Sequence, residues 1–312
     1  MSVPWPKRIR RFLRAYAVLA LFWLLGRIPF SLALRLGKWG GRLAFHLFGR
    51  ERRLALSHLA LAFPEWSETE RRAVARRMFE SLGISAMELA QLRKLDPVLE
   101  DYVRLPKEAE DLLHRIRRGC GVVMVTGHLG NWELLFRRCL RAGFDAYAVG
   151  KESHDPRFTA LMERIRGADR VIWRGAPGAA RQMLQVFRKD GYLSLLIDQD
   201  TKVQGLFVPF FGRLAHTPRA AADLALRAGA SVAAIFIRRL PEGGHEISVE
   251  EIPPPRSADP ETAAWELTAE MTKRIEAAIR RSPHEWVWMH ERWKTRPPAE
   301  NEAGNSPVSA VA

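Results

Sequence analysis

Two side chains near the middle of the chain have the chemistry and spacing of a general base and its orienting partner. His128 follows a short apolar run, and Glu133 comes in the first turn of a predicted helix. A neutral imidazole accepts a proton from an alcohol, and a carboxylate bound to its other ring nitrogen fixes the tautomer and stabilises the imidazolium that forms. The pair predicts catalysis by His128 with Glu133 as its orienting group.

A structural role explains the same two residues without catalysis. A histidine beside a glycine is often a loop residue or a hydrogen-bonded core residue. A glutamate in the first helical turn favours the positive end of the helix dipole. Taken alone, the pair leaves both interpretations open.

The elements around His128 are typical of an α/β fold. Residues 122–126, VVMVT, are apolar and rich in β-branched side chains, which predicts a buried strand, and Asn131 is a good N-cap for the helix that follows. Helix and strand patterns then alternate up to a long amphipathic helix predicted over Pro260–Arg281. Ligands of open α/β sheets bind at the carboxyl ends of the strands, so His128 is expected in the functional crevice.

Two carboxylates follow a later buried strand of the pattern. Asp198 and Asp200 come directly after the apolar run that ends at Ile197, so they should face the same crevice as His128. They fit a cation, a sugar hydroxyl or an arginine partner, and they also fit a solvated turn.

An aromatic segment comes shortly afterwards. Residues 205–212, GLFVPFFG, are bracketed by glycine and contain a proline, which predicts a loop. Phe210 and Phe211 would then form a wall for an acyl chain or face a membrane, or the loop would fold onto the core as a lid. A buried loop leaves backbone polar groups unpaired, which favours the first interpretation.

Positive charge is concentrated at the N-terminus. The chain has a net charge of +14, of which residues 1–53 carry +11. A nucleic-acid enzyme more often spreads basic groups along a groove of its folded body, so nucleic acid is not the predicted partner. The same region contains the uncharged stretch 15–26, which is short of the roughly 20 apolar residues of a membrane span. The pattern predicts an anchor lying on or shallowly inserted into anionic lipid, and a buried core helix with a basic cap is the alternative.

Several other chemistries are disfavoured. Cys120 and Cys139 are too few for a disulfide framework, which suggests a reducing compartment. The sequence has no metal motif of the H-E-x-x-H type and no G-x-S-x-G elbow, so we expect neither a metal nor a serine nucleophile. The segment 285–296 contains three tryptophans and His290, and it fits either a packing role or a direct part in catalysis.

Longer strings around these residues resemble one enzyme family. Residues 128–133, HLGNWE, resemble the H-x4-D/E motif of glycerolipid-type acyltransferases, and the string GHLGNWE is similar to the form found in the late acyltransferases of lipid A biosynthesis, the lauroyl and myristoyl transferase family. Further segments resemble that family in the same order: 198–200 (DQD), 208–212 (VPFFG) and 288–297 (WMHERWKTRP). The resemblance extends from about Pro29 to Pro297.

This resemblance implies a fold and an activity. The expected fold is α/β, with a single mixed sheet flanked by helices as in lysophospholipid acyltransferase-like proteins. The expected reaction is O-acyl transfer from an acyl-carrier-protein thioester to a hydroxyacyl group of a lipid A precursor, at the cytoplasmic face of the bacterial inner membrane and without a cofactor. Another glycolipid or a glycerophospholipid as acceptor, or a non-catalytic membrane-binding module, remains as the alternative.

The expected site residues follow from the motifs and the resemblance together. His128 and Glu133 are the expected catalytic residues. The oxyanion is expected to find backbone N–H groups near Asn131 or a basic side chain such as Arg174. The full set of expected substrate-binding residues is Asn131, Arg174, Asp198, Asp200, Phe210 and Phe211. Neither cysteine lies near the base in the motif, so direct transfer is expected. The predicted segments are a membrane-associated region over residues 1–50, a catalytic domain over 51–297 and a disordered tail over 298–312.

Overall fold

Buried apolar strands alternate with helices and build a seven-stranded sheet at the centre of the protein. The computed structural model describes Tyr16, residues 20–153 and residues 155–297. The described strands are β1 (Val103–Arg104), β2 (Val122–Thr126), β3 (Ala146–Gly150), β4 (Val171–Trp173), β5 (Tyr192–Leu196), β6 (Gly205–Phe210), β7 (Arg213–Pro218), β8 (Ser231–Arg239) and β9 (His245–Ile252). The main sheet has the order β1-β9-β8-β2-β5-β3-β4. All its neighbours are parallel except the pair β8 and β9, which is antiparallel.

Helices cover both faces of this sheet. The described helices are α1 (Phe30–Leu47), α2 (Gly49–Ala62), α3 (Glu68–Ala90), α4 (Leu92–Leu95), α5 (Leu99–Tyr102), α6 (Lys107–Ile116), α7 (Trp132–Arg141), α8 (Pro156–Arg166), α9 (Ala179–Arg188), α10 (Ala220–Ala228) and α11 (Pro260–Arg281). The predicted α/β class with a mixed, helix-flanked sheet is confirmed. The strand over residues 122–126 and the helix Pro260–Arg281 have the predicted bounds.

Strand β2 is buried on both of its faces. Each of its five residues is buried, and alternate side chains enter different cores because successive residues of a strand point to opposite faces. Val123 and Val125 join one core cluster, and Val122 and Met124 join the other. A central parallel strand with helices on both faces needs such a continuous apolar run.

The predicted loop over residues 205–212 is wrong. Residues 205–210 form β6, which pairs with β7 in a separate antiparallel hairpin, so the expectation of a single sheet is also corrected. The hairpin turns at Phe211 and Gly212, whose φ angles are +50° and +70°. Positive φ at both positions of a two-residue loop matches the right-handed twist of the strands. The non-glycine residue tolerates this conformation because its backbone N–H donates to Glu276 at 2.6 Å and its ring packs on Phe63 and Trp288.

Helix α1 packs closely on α3 and leaves an apolar stripe in solvent. Gly37 and Gly41 of α1 face the backbone of α3 so tightly that a β-carbon on either would collide with it. The opposite side of α1 exposes five large apolar side chains: Leu32, Leu36, Trp39, Leu43 and Leu47. Among the residues described, no helix is both long and apolar enough to cross a membrane. Residues 1–15 and 17–19 of the predicted membrane segment, and the predicted tail over 298–312, lie outside the described residues.

Candidate active site

The register of two neighbouring strands brings His128 beside Asp198. Strands β2 and β5 are parallel neighbours, and Thr126 pairs with Leu196 at their carboxyl ends. His128 and Asp198 each lie two residues beyond this pair, where the chain leaves the two strands. The Nδ1 atom of His128 lies 2.8 Å from Oδ1 of Asp198, and the backbone N–H of His128 donates to Oδ2 at 2.7 Å. The carboxylate therefore holds both the ring and the backbone of the histidine.

Asp198 is a buried carboxylate with a full set of donors. Its side chain has no exposed surface, and the indole N–H of Trp286 donates to Oδ2 at 2.7 Å. Burial opposes ionisation, but the facing His128 and the hydrogen bonds from His128 and Trp286 outweigh it and hold the pKa of Asp198 well below its ordinary value. An ionised Asp198 accepts only, so Nδ1 of His128 carries the proton and Nε2 presents a lone pair.

The side-chain amide of Gln199 links His128 to a second histidine. Its side-chain nitrogen lies 3.0 Å from Nε2 of His128 and 2.7 Å from Nε2 of His290. Burial and, to a smaller extent, the electrostatic effect of nearby His128 lower the pKa of His290 to about 4. His290 is therefore neutral at pH 7 and accepts the amide proton. The same nitrogen is 3.1 Å from Nδ1 of His128, so it lies over the face of that ring, and the in-plane lone pair of Nε2 has no donor among the described residues.

Glu133 does not take the expected position beside His128. Its carboxylate is buried and paired with Arg166, whose Nε and Nη2 donate at 2.7 and 2.5 Å, and it also accepts from the indole N–H of Trp132 at 3.0 Å. The ring of Trp132 packs edge-to-face on His128 with centroids 5.0 Å apart. Glu133 therefore acts on His128 only indirectly, through the ring of Trp132. Asp198 takes the orienting position that we expected for Glu133.

The side chain of Asn131 is committed to the fold. Its Oδ1 caps α7 by accepting from the backbone N–H of Leu134, as the N-cap prediction requires, and its Nδ2 donates to the buried carboxylate of Glu88 at 2.9 Å. Only 2% of Asn131 is exposed, so its side chain is not available to a substrate, whereas the expected role of backbone N–H groups near it stays a prediction. The backbone N–H groups of residues 131–133 donate to no acceptor within the described residues and lie at the positive end of α7.

The segment 285–290 braces the turn that carries His128. The backbone N–H of Gly130 donates to the carbonyl of Glu285 at 3.0 Å, and that of Val287 donates to the carbonyl of His128 at 3.2 Å. Gly130 has a φ of +61°, and a β-carbon there would lie 2.5 Å from the carbonyl oxygen of Ile237. Glycine is thus required for the turn to fit between β8 and this segment.

Asp200, Phe210 and Phe211 are occupied by contacts within the fold. Asp200 is held by His216 and by the backbone N–H of Thr295 at 2.7 Å, so it ties the strand end to the C-terminal segment. Phe210 and Phe211 are 0% and 6% exposed and pack among the tryptophans of that segment, so they do not form a wall for a substrate. Burial of these aromatic rings corrects the prediction of an acyl-binding or membrane-facing loop.

Two cavities meet at Gln199. The larger, which we call the basic cavity, has a volume of about 870 Å³, and its lining includes Gln199, Arg174 and the carboxyl ends of β3 and β5. The smaller, about 510 Å³, is lined by Gln199 and His290 among others. Arg174 follows β4, which lies three strand positions from β2, or about 14 Å at the usual strand spacing. This distance disfavours Arg174 as an oxyanion donor beside His128, although the residue does line the adjoining cavity.

Sequence reasoning missed Arg166, Gln199 and Trp286 as parts of this site. Gln199 lies between the two acids that were singled out, so its position in the crevice was foreseeable. His290 and Trp286 belong to the tryptophan-rich segment, for which packing and catalysis were both open. Arg166 lies at the end of α8 and carried no signal in the sequence.

Comparison with known proteins gives a family match over almost the whole chain. A family model described as bacterial lipid A biosynthesis acyltransferase matches residues 5–295. The chain is 27% identical to the lipid A biosynthesis lauroyltransferase of Escherichia coli (strain K12), covering 92% of this chain and 93% of that protein. It is 26% identical to the lipid A biosynthesis palmitoleoyltransferase of the same strain, over 91% and 92%. It is also 26% identical to the lipid A biosynthesis myristoyltransferase of that strain, over 85% and 81%.

Proposed function

We propose, because the chain belongs to the bacterial lipid A biosynthesis acyltransferase family and is therefore an acyltransferase, that it transfers a fatty acyl chain from an acyl-carrier-protein thioester to a hydroxyl group of a lipid A precursor. The printed names of its relatives describe lauroyl, palmitoleoyl and myristoyl transfer in lipid A biosynthesis. The observation that carries the proposal is the His128–Asp198 pair at 2.8 Å, beside Gln199, which contacts the imidazole and lines two cavities.

In this mechanism His128 moves one proton. A hydroxyl has a pKa far above 7 and needs a positioned base as it attacks. Nε2 of His128 takes the hydroxyl proton while the oxygen forms a bond to the thioester carbonyl carbon. Asp198 stabilises the imidazolium, as a buried carboxylate does in hydrolase triads. The tetrahedral intermediate then collapses, the C–S bond breaks, and His128 returns the proton to the departing sulfur.

Gln199 leaves the in-plane lone pair of Nε2 open to the substrate hydroxyl. Its amide nitrogen lies 3.0 Å from Nε2 and 3.1 Å from Nδ1, over the face of the ring, whereas the one lone pair of Nε2 lies in the ring plane. The incoming hydroxyl donates to that lone pair. Gln199 stays in its contact with His290, at 2.7 Å.

The start of α7 is the proposed oxyanion site. The backbone N–H groups of residues 131–133 lie at the positive end of the helix dipole and directly follow the turn that carries His128. Glu133 is a positioning residue in this scheme. It holds Trp132, which packs on the His128 ring, and it fixes α7 to α8 through Arg166.

The cysteines support transfer without a covalent acyl-enzyme. Burial raises the pKa of Cys139 to about 12, so its thiol is not a thiolate at neutral pH. Cys120 is exposed but precedes β2, at the edge of the sheet opposite His128. Attack by the acceptor hydroxyl on the bound thioester needs neither of them.

We place the active body at the cytoplasmic face of the inner membrane. The exposed stripe of α1 includes Leu36, Trp39 and Leu43, and the adjoining residues Arg35 and Lys38 are basic. Apolar side chains flanked by positive charge suit a helix that lies on an anionic lipid surface. An acyl-carrier protein as donor requires the catalytic crevice to face the cytoplasm.

The test is acyl transfer by the purified full-length protein. We expect mass spectrometry to show one added acyl chain on a lipid A precursor when acyl-carrier-protein thioester is supplied. His128→Ala should lower turnover by about 10² to 10⁴, the usual contribution of a general base. The matched control is His114→Ala, because His114 is an exposed histidine on α6. Near-normal turnover of folded His128→Ala would overturn the base assignment, and acylation of a different lipid in place of the precursor would overturn the acceptor.

A further inference from the structure

The basic cavity extends from the catalytic residues to the far edge of the sheet. Its floor is apolar and includes Leu195 and Met183, and Gln199 forms the end next to His128. The other end reaches Lys151 and Arg174, which follow β3 and β4. At about 870 Å³ it is the size of a pocket for an extended organic ligand.

The rim of this cavity carries uncompensated positive charge. Lys151, Arg174 and Lys202 are exposed, and none has a hydrogen-bond or ion-pair partner for its side chain within the described residues. Arg219 also lines the cavity, but it is paired with Asp223 at 3.0 Å and with Glu261 at 2.8 Å. Asp223 is the one acidic residue among those that line the cavity, and it is already paired with Arg219. The three unpaired cations therefore have no free acidic partner among the lining residues.

A phosphate group fits this arrangement. Arginine and lysine form charge-assisted hydrogen bonds with phosphate oxygens, which are stronger than bonds between neutral groups. A phosphate near Arg174 would lie about 14 Å across the sheet from β2, as three strand spacings imply. The ligand must therefore carry its phosphate on an extended linker, with an apolar part above the floor and the reacting group beside His128.

We infer that the basic cavity binds a phosphate group of one of the two substrates through Lys151, Arg174 and Lys202. This inference rests on the proposed acyl transfer and names how that site holds its substrate. The phosphate belongs either to the pantetheine arm that carries the acyl thioester or to the sugar of the acceptor. Both sources present the same chemistry at the cavity rim.

The experiment compares two triple variants of the full-length protein. Lys151→Gln, Arg174→Gln and Lys202→Gln together remove the rim charge. Their control is Arg181→Gln, Arg188→Gln and Lys189→Gln, which removes the same charge from exposed positions on and next to α9 that line none of the cavities described above. We expect the rim variant to raise KM for the phosphate-bearing substrate by about 10-fold to 100-fold with kcat within about threefold, and the control to leave KM unchanged.

Two substrate pairs identify the source of the phosphate. The first pair is acyl-phosphopantetheine and acyl-pantetheine, which differ only by the phosphate on the donor. The second pair is the acceptor before and after enzymatic removal of its phosphates. The defect of the rim variant should disappear with the phosphate-free member of one pair, and that pair identifies the substrate whose phosphate is bound.

Three outcomes are distinguishable. An equal KM for rim variant and control overturns the inference, and so does a rim defect that persists with both phosphate-free substrates. Absence of product with the wild-type protein in every arm is a failure of the proposed acyl transfer itself, and it would overturn the inference with it.

Discussion

Replacing Asp198 by asparagine should disable the base while leaving the site assembled. The two oxygens of Asp198 meet different partners. Oδ2 accepts from two fixed donors, the backbone N–H of His128 and the indole N–H of Trp286, both at 2.7 Å. Oδ1 faces Nδ1 of His128 at 2.8 Å.

These contacts decide how an asparagine would orient. With its NH2 group in the Oδ2 position, two buried N–H donors would lose their acceptor, at about 1–3 kcal/mol each. The carbonyl oxygen should therefore take the Oδ2 position, and the NH2 group should point at Nδ1 of His128. Nδ1 must then accept, which moves the proton to Nε2 and removes the lone pair that serves as the base.

The expected loss follows from that preference. Recovering the active tautomer requires the unfavourable amide orientation, at about 2–6 kcal/mol, and each 1.36 kcal/mol is a factor of ten. The active fraction should fall by about 30-fold to 10⁴-fold, and kcat with it, while KM changes little.

The assay is initial-rate kinetics with acyl-carrier-protein thioester and lipid A precursor, with thermal unfolding to verify the fold. Asp190→Asn is the control, since Asp190 accepts from the backbone N–H of Gly121 at 2.8 Å at the other end of the same strands and has a φ of +57°, which asparagine tolerates. A kcat for Asp198→Asn above a tenth of the wild-type value would refute the tautomer argument.

Two further predictions concern stability and membrane binding. Burial raises the pKa of Glu285 from 4.5 to about 7, so the folded protein keeps a proton there that the unfolded chain releases, and the Glu285 contribution to the free energy of unfolding should fall from about pH 5 to pH 7 by at most about 3 kcal/mol. Buried His290, whose pKa is lowered to about 4, contributes the opposite change, so the test is the difference in free energy of unfolding between the wild-type protein and Glu285→Gln, which should change by that amount over this pH range in urea titrations. An identical pH slope in the variant would contradict the assignment. Replacing Leu36, Trp39 and Leu43 by serine should weaken flotation with anionic vesicles, whereas Leu226→Ser, at an exposed position on α10, should not; equal flotation would move the membrane contact elsewhere.

Local patterns predicted the elements around the site because those elements depend on local residue chemistry. The short length and β-branched side chains of the apolar run 122–126 favour a buried strand, and Asn131 caps the next helix as its side chain predicts. The position of His128 at the carboxyl end of β2 follows from these two facts alone. Asp198 was expected in the same crevice for the same reason.

The carboxylate that contacts His128 could not be predicted from local sequence patterns. Glu133 is close in sequence, but Asp198 is 70 residues away and reaches the ring only through the register between β2 and β5. That register depends on packing over the whole sheet. The Phe211–Gly212 turn was missed because its signal is not one of the usual Asn-Gly or Asp-Gly pairs, and its positive φ is supported by tertiary contacts of the Phe211 ring.

The dependence of Asp198 on Trp286 has a consequence for biosynthesis. The indole donor lies 88 residues after the carboxylate that it serves. At about 5–20 residues per second, the ribosome needs roughly 4–18 s to make the intervening chain. A nascent or prematurely terminated polypeptide can contain the full histidine motif and still lack Trp286, whose indole N–H donates to Asp198. Catalytic competence therefore arrives only with the last part of the chain, and incomplete translation products should be inert towards their substrates.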